Sequence, residues 1–141
     1  MSQHYRTQIR ASTRLALQHC AYFSDMTHIS AWASGVDITT LPVLAIMTPN
    51  ETKAEEARGS SERIVTLQVL IRRAGGEDIE DQLDLDSGHL EAAVLASLRT
   101  NSWGGELTKT EISIDHSGAQ RIGSLDMQFQ VTLWVPEPLT L

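Results

Sequence analysis

Side chains that move protons, attack carbonyls or hold metals near neutral pH are few in this chain, and they do not converge along it. Five histidines, His4, His19, His28, His89 and His116, are spread over its length, and no two have the His-x-x-x-His spacing that puts two imidazoles on one helix face. Cys20 is the single cysteine, so neither an internal disulfide nor a thiolate chelate is available. Asp115 and His116 form the nearest approach to a catalytic pair, but neighbours on a strand point to opposite faces. Ser102, ahead of Trp103-Gly104-Gly105, follows an expected helix instead of preceding one, which excludes both a phosphate cradle and a nucleophile elbow. The acids at Glu77, Asp78, Glu80, Asp81, Asp84 and Asp86 lack the Asp-x-Asp-x-Asp-Gly order of a calcium loop. No catalytic residue, cofactor or metal site is therefore expected, and the chain reads as a non-enzyme.

The remaining chemistry is that of surfaces. Arg6, Arg10 and Arg14 make an i, i+4 ladder on an amphipathic helix from Ser2 to Cys20, either a solvated face or a docking stripe for an acidic neighbour. No acid lies within a helical turn to pair with them. A second charged group occupies the arm from Thr48 to Arg63, with Glu51, Lys53, Glu55, Glu56, Arg58, Glu62 and Arg63 and no apolar residue larger than alanine. Such a segment cannot bury itself, and it reads as a flexible connection awaiting a partner. The acids from Glu77 to Asp86 read as a solvated connection.

Positioning these groups requires strands and helices. Val65, Leu67, Val69 and Ile71 alternate with more polar residues, as do Leu125, Met127, Phe129, Val131, Leu133 and Val135, the period-two signature of strands with one buried face. The segments Leu41 to Met47 and Ile64 to Arg73 are expected to pair antiparallel across the arm. A short strand is expected around His28 to Ala33, with Trp32 as an anchor. A helix capped by Asp86 or Ser87 is expected to reach Thr100 and lie on the sheet through Leu90, Ala93, Val94, Ser97 and Leu98. Glycines at 104 and 105 supply its ending. A strand from Leu107 to His116 carries Ile112 and Ile114 inward. The class is α+β, a single mostly antiparallel sheet of four to five strands with helices packed on one face, in the order α-(β)-β-β-α-β-β. The other face carries Gln68, Gln128, Gln130 and Thr132, with Trp134 interrupting it near its end. An uncharged polar face of this kind suits a subunit contact.

A length of 141 residues with 41% hydrophobic and 21% charged residues fits one domain able to bury about 68% of its unfolded surface. The net charge of −7 opposes tight, nonspecific binding to phosphate backbones. Met1 to Arg10 lacks the apolar run of a secretory signal, and no stretch is long and apolar enough to span a bilayer. Neither export by a signal peptide nor membrane insertion is expected.

Taken together, the basic N-terminal helix, the passage Trp32-Ala33-Ser34-Gly35-Val36-Asp37 leading into Leu41-Pro42-Val43-Leu44-Ala45-Ile46, the Thr48-Pro49-Asn50-Glu51 start of the arm, the Thr66 to Ile71 strand, the helix from Ser87 and the closing Thr132-Leu133-Trp134-Val135 resemble the tail terminator proteins of long-tailed, siphophage-type bacteriophages. That resemblance implies a structural virion protein, assembled in the bacterial cytoplasm, that forms a ring, a homohexamer in that family, on a completed tail tube. The ring stops tube growth and offers a surface for head joining. Its partners are then other copies of itself, the tube protein and a head–tail connector or neck protein, with DNA passing through unrecognised. On this reading the arm residues Glu51, Lys53, Glu55, Glu56, Arg58, Glu62 and Arg63 meet the tube. Arg6, Arg10, Arg14, Gln68, Gln128, Gln130 and Trp134 make neighbour contacts, and Asp78, Glu80, Asp81 and Asp84 face the bore. A different head–tail connector or neck protein, and a small enzyme or ligand-binding domain, are the alternatives.

Overall fold

The structure, a computed structural model, describes residues 3–29, 41–116 and 120–136. Helix α1 (Tyr5–His19) and a single 3-10 turn (Ala21–Phe23) lead into β1 (Thr27–Ile29), followed by β2 (Val43–Ala57), β3 (Ser60–Gly75), α2 (Ile79–Thr100), β4 (Gly104–Asp115) and β5 (Arg121–Pro136). Among the described residues the strands form one sheet in the order β1-β2-β3-β5-β4. β1 lies parallel to β2, and the other three pairings are antiparallel. The class is the expected α+β, with one parallel pair that a purely hairpin reading omits. The rest of the expected first strand, Trp32 included, lies outside the described residues.

Period-two alternation does what it predicts. Val65, Leu67, Val69 and Ile71 on β3 and Leu125, Met127, Phe129 and Val131 on β5 are at most 1% exposed, and the register sets Leu67 opposite Phe129 and Val69 opposite Met127. This stripe is covered by α1 through Ile9, Thr13 and Leu17 and by α2 through Ile79, Leu83, Leu90, Val94 and Leu98, so both helices lie on the same face. Each fully buried aliphatic or aromatic side chain contributes about 1.5–3 kcal/mol. Ile114 packs on this core, whereas Ile112, on the same face by register, sits at the sheet edge and stays 36% exposed.

Helix α2 approaches the sheet closely because two glycines let it. A Cβ on Gly123 would stand 2.7 Å from Leu83 Cδ1, and one on Gly105 would stand 2.4 Å from Leu98 Cδ1. Gly105 thus serves packing, not the helix ending. That ending is made by Ser102 at φ 60°: the Ser102 N–H donates to Arg99 O and the Trp103 N–H to Leu98 O, both at 3.0 Å. These two bonds form a Schellman cap, with serine in the left-handed position that glycine usually fills.

Two expected boundaries move. Helix α2 begins at Ile79, not Ser87, so Glu80, Asp81, Asp84 and Asp86 belong to its first two turns, and of the six acids Glu77 and Asp78 alone precede it. Carboxylates in the first turn, Glu80 and Asp81, favour a helix start through the macrodipole. The arm is not a loop either. β2 and β3 stay paired from Lys53 opposite Arg63 to Ala57 opposite Ser60, closed by Arg58 and Gly59 at φ 49° and 82°, the doubly positive geometry of a two-residue type I′ turn. A register shift between Met47 and Asn50 lets the ladder pass Pro49, which has no N–H to give, and a second lies between Lys53 and Glu55. Backbone pairing, which needs no apolar side chains, holds this part of the chain.

Candidate functional site

β5 accompanies the arm to its end, with Arg63 opposite Leu133, Glu62 opposite Trp134 and Ser60 opposite Pro136. β4 stops at Gly104 opposite Thr132, so beyond that point the sheet narrows to a three-stranded tab of β2, β3 and β5. Thr52, Lys53, Ala54 and residues 56–59 are exposed there, among them Glu56 and Arg58. Glu55 lies on the same strand opposite Glu62. Trp134 is 50% exposed on the face opposite the helices. The tab therefore brings an exposed aromatic beside the charged arm residues, which the resemblance assigns to separate surfaces.

At the root of the tab the N-terminal turns of α1 meet β2. Glu51, with an 11% exposed side chain, lies 3.2 Å from Arg6 Nε through Oε1. Its Oε2 accepts from Arg63 Nη1 at 2.8 Å and from the Tyr5 hydroxyl. Burial pushes the Glu51 carboxyl upward, but the Tyr5 and Arg63 hydrogen bonds and the Arg6 and Arg63 charges outweigh it and hold the group below its ordinary range. Burial and the Glu51 carboxylate raise the Tyr5 hydroxyl. Arg10 Nη1 donates to Thr48 Oγ1 at 2.5 Å. Two rungs of the arginine ladder are thus used inside the subunit, against β2, a third arrangement beside the solvated face and the docking stripe; Arg14 is half-buried. Glu51 and Arg63 likewise bond to each other within the subunit. Helical and hairpin residues 46 positions apart meet here, a proximity no local spacing announces. A groove of about 910 Å³ opens beside the cluster between Tyr5, Arg6, Lys53 and Val135. Lys53 reaches Glu56 at 2.5 Å across its mouth.

The uncovered face of the sheet carries the expected polar residues. Gln68 Nε2 donates to both oxygens of Asp126 at 3.0 and 2.9 Å, and Thr66 Oγ1 to Asn50 Oδ1 at 2.7 Å. Gln128 is directly opposite Gln68, and Gln130 opposite Thr66. Neither helix lies over these residues. At the other end of the sheet Asp78, which precedes α2 at its N-cap, and Glu80, Asp81 and Asp84 on α2 are all exposed, with Leu85 beside them 59% exposed.

One cluster escaped sequence reading. Asp86, fully buried, accepts from Arg73 Nε and Nη2 at 2.9 and 2.8 Å and from the Tyr22 hydroxyl at 2.7 Å. His89 stacks on Tyr22 with ring centroids 3.9 Å apart. Burial and the hydrogen bond to Asp86 push the Tyr22 hydroxyl up to about 12. Arg73 is raised against its burial by the Asp86 carboxylate. Asp86 is no cap: it lies seven residues past Ile79 and four before Leu90 on the buried stripe of α2, a placement that the helical period could have revealed. Its oxygens point at a bidentate arginine, so the arrangement locks the 3-10 turn, β3 and α2 together and offers no base to a substrate.

No protein-family model matches this chain, and no curated protein matches it. Among the described residues no three histidines, cysteines or carboxylates gather as a metal site, and no helix is long and apolar enough to cross a membrane. What the geometry supplies is an apolar-anchored tab, a bare polar sheet face and an acidic helix start.

Proposed function

We propose that this chain is a structural virion subunit of the tail-terminator kind, a ring-former that caps the completed tail tube, stops its growth and joins it to the head or neck. The observation that carries the reading is the tab. It is a stiff, charged, three-stranded extension past the helix-covered body, with Trp134 presented on one side. Exposed aromatics ringed by charged and polar groups are characteristic of protein contacts. Gln68, Gln128 and Gln130 on the uncovered face supply a neighbour contact that needs little desolvation of charge. Asp78, Glu80, Asp81 and Asp84, turned to a bore, repel the DNA that passes.

Its partners are then further copies of the chain, a tube protein and a neck or connector protein, and its place is the virion tail. The test mixes purified protein with the tube subunit of the same phage, followed by electron microscopy of tube ends. Caps on tubes of limited length support the reading, and a variant with Glu56, Arg58 and Trp134 replaced by serine loses them while keeping its fold. Tubes that grow uncapped sink it, and binding to a portal-side protein instead favours the connector alternative.

A further inference from the structure

We infer that β4 is a self-pairing edge: two copies join β4 to β4 antiparallel, centred on Ile112, and merge their sheets. Among the described residues β4 is the outermost strand, and an outer strand presents a row of backbone donors and acceptors that a further strand can take. Natural edges are usually blunted by shortness, proline, bulges or charged side chains; on β4 the charged residues Lys109, Glu111 and Asp115 carry both signs and therefore admit a partner of matching pattern. The opposite side of the sheet is blunted by shortness, proline and bulges: among the described residues β1 covers Val43 to Ala45 alone, and beyond it β2 carries Pro49 and two register shifts. β4 has a single irregularity, between Leu107 and Lys109, and from Lys109 to Asp115 its ladder is regular. That run contains no proline or glycine, and Thr110, Ile112 and Ile114 are β-branched residues that favour strands.

The occupant follows from the charges. Antiparallel pairing of the run with itself about Ile112 sets Lys109, which within the subunit lies 2.8 Å from Glu111, opposite the second copy's Asp115, and by symmetry the reverse, so each ammonium group gains a further carboxylate across the seam on the uncovered face. Glu111 meets Ser113 on that face. On the helix side Thr110 meets Ile114, and the two Ile112 side chains, each 36% exposed in the single subunit, cover one another. Centring on Glu111 instead opposes two carboxylates, which is unfavourable. Centring on Thr110 draws the irregularity at Leu107 into the ladder. Only the Ile112 register keeps every residue from Lys109 to Asp115 paired, with no like charges opposite. The twofold axis stands perpendicular to the sheet, so the helices of both copies stay on one side and the new ladder is roughly 23 Å long. The pairing uses an edge, not the tab or the polar face, and stands whether or not the tail-ring proposal does.

Sedimentation velocity of the full chain across the micromolar range tests it. The wild type is expected to show a concentration-dependent monomer–dimer equilibrium, and Ile112→Lys is expected to remain monomeric with an unchanged circular dichroism spectrum. Lys109→Asp and Asp115→Lys each place like charges opposite at two symmetric positions and should weaken the dimer about tenfold. The double variant Lys109→Asp/Asp115→Lys restores it. A wild type that is monomeric throughout, an oligomer that persists in Ile112→Lys, or a double variant no better than the singles overturns the assignment.

Discussion

Replacing Asp86 with alanine should be among the most damaging single changes in this chain, and the cost can be worked from its surroundings. The carboxylate is fully buried and accepts two bonds from Arg73 and one from Tyr22. Removing one member of a buried ion pair costs about 3–5 kcal/mol, because the partner charge is left without compensation. The Arg73 side chain is 20% exposed, so water can reach part of the guanidinium, and the lower end, about 3 kcal/mol, applies. For a chain of this size that corresponds to a fall in melting temperature of about 12 °C. Tyr22→Phe removes a single hydrogen bond to a charged group and should cost about 1.5 kcal/mol. Replacing both charged partners together, Asp86→Leu with Arg73→Met, should cost less than Asp86→Ala alone, since neither charge is then stranded. Urea unfolding followed by circular dichroism measures all three. An Asp86→Ala loss below about 1 kcal/mol, or a double variant worse than the single, would refute the reasoning that this pair is a desolvated lock.

Further expectations follow from the same geometry. Gly88 lies inside α2 with nothing within 4 Å of a built Cβ, so Gly88→Ala should stabilise by about 0.5–1 kcal/mol in the same unfolding assay. Gly123→Leu must displace Leu83 and Ile79, which approach to 2.7 and 2.9 Å, and should cost about 1–3 kcal/mol or more by lifting α2 from β5; a neutral result would mean the helix is not seated there. Glu51 has a folded-state pKa below its ordinary 4.5, so its contribution is present above that value and is lost as pH falls through the lower folded value. The stability gap between wild type and Glu51→Gln should therefore shrink as urea titrations are moved from pH 7 to pH 3. A gap that widens toward acid contradicts the sign.

The sheet core and the class were legible because they rest on periodicity. Alternation along Leu125 to Val131 is a local pattern, and a one-residue slip would turn the whole set outward. The tab was not legible for a complementary reason. Lys53 to Arg63 has no apolar face, so nothing in its side chains distinguishes a paired hairpin from a loop, and the turn at Arg58-Gly59 shows itself only weakly through one glycine. Asp86-Ser87-Gly88 imitates a helix start, although Asp86 also falls on the α2 stripe defined by Ile79, Leu83 and Leu90. The contacts of Glu51 with Tyr5 and Arg6 depend on how α1 crosses β2, information carried by the fold and not by spacing. Trp134 was visible as an exposed aromatic, but not its alignment with Glu62, because that follows from the β3–β5 register.

The Arg58-Gly59 turn and the ladder behind it have an entropic consequence. A segment that meets its target as a loose tether must surrender backbone freedom on contact, at about 1–2 kcal/mol for each residue fixed. Here that surrender happens once, when the chain folds, and recognition of any later partner starts from a rigid probe. On the proposed reading, affinity at that encounter then depends on surface fit, and loosening the turn, by giving it several added glycines, should weaken binding to a tube subunit without touching a single contacting side chain.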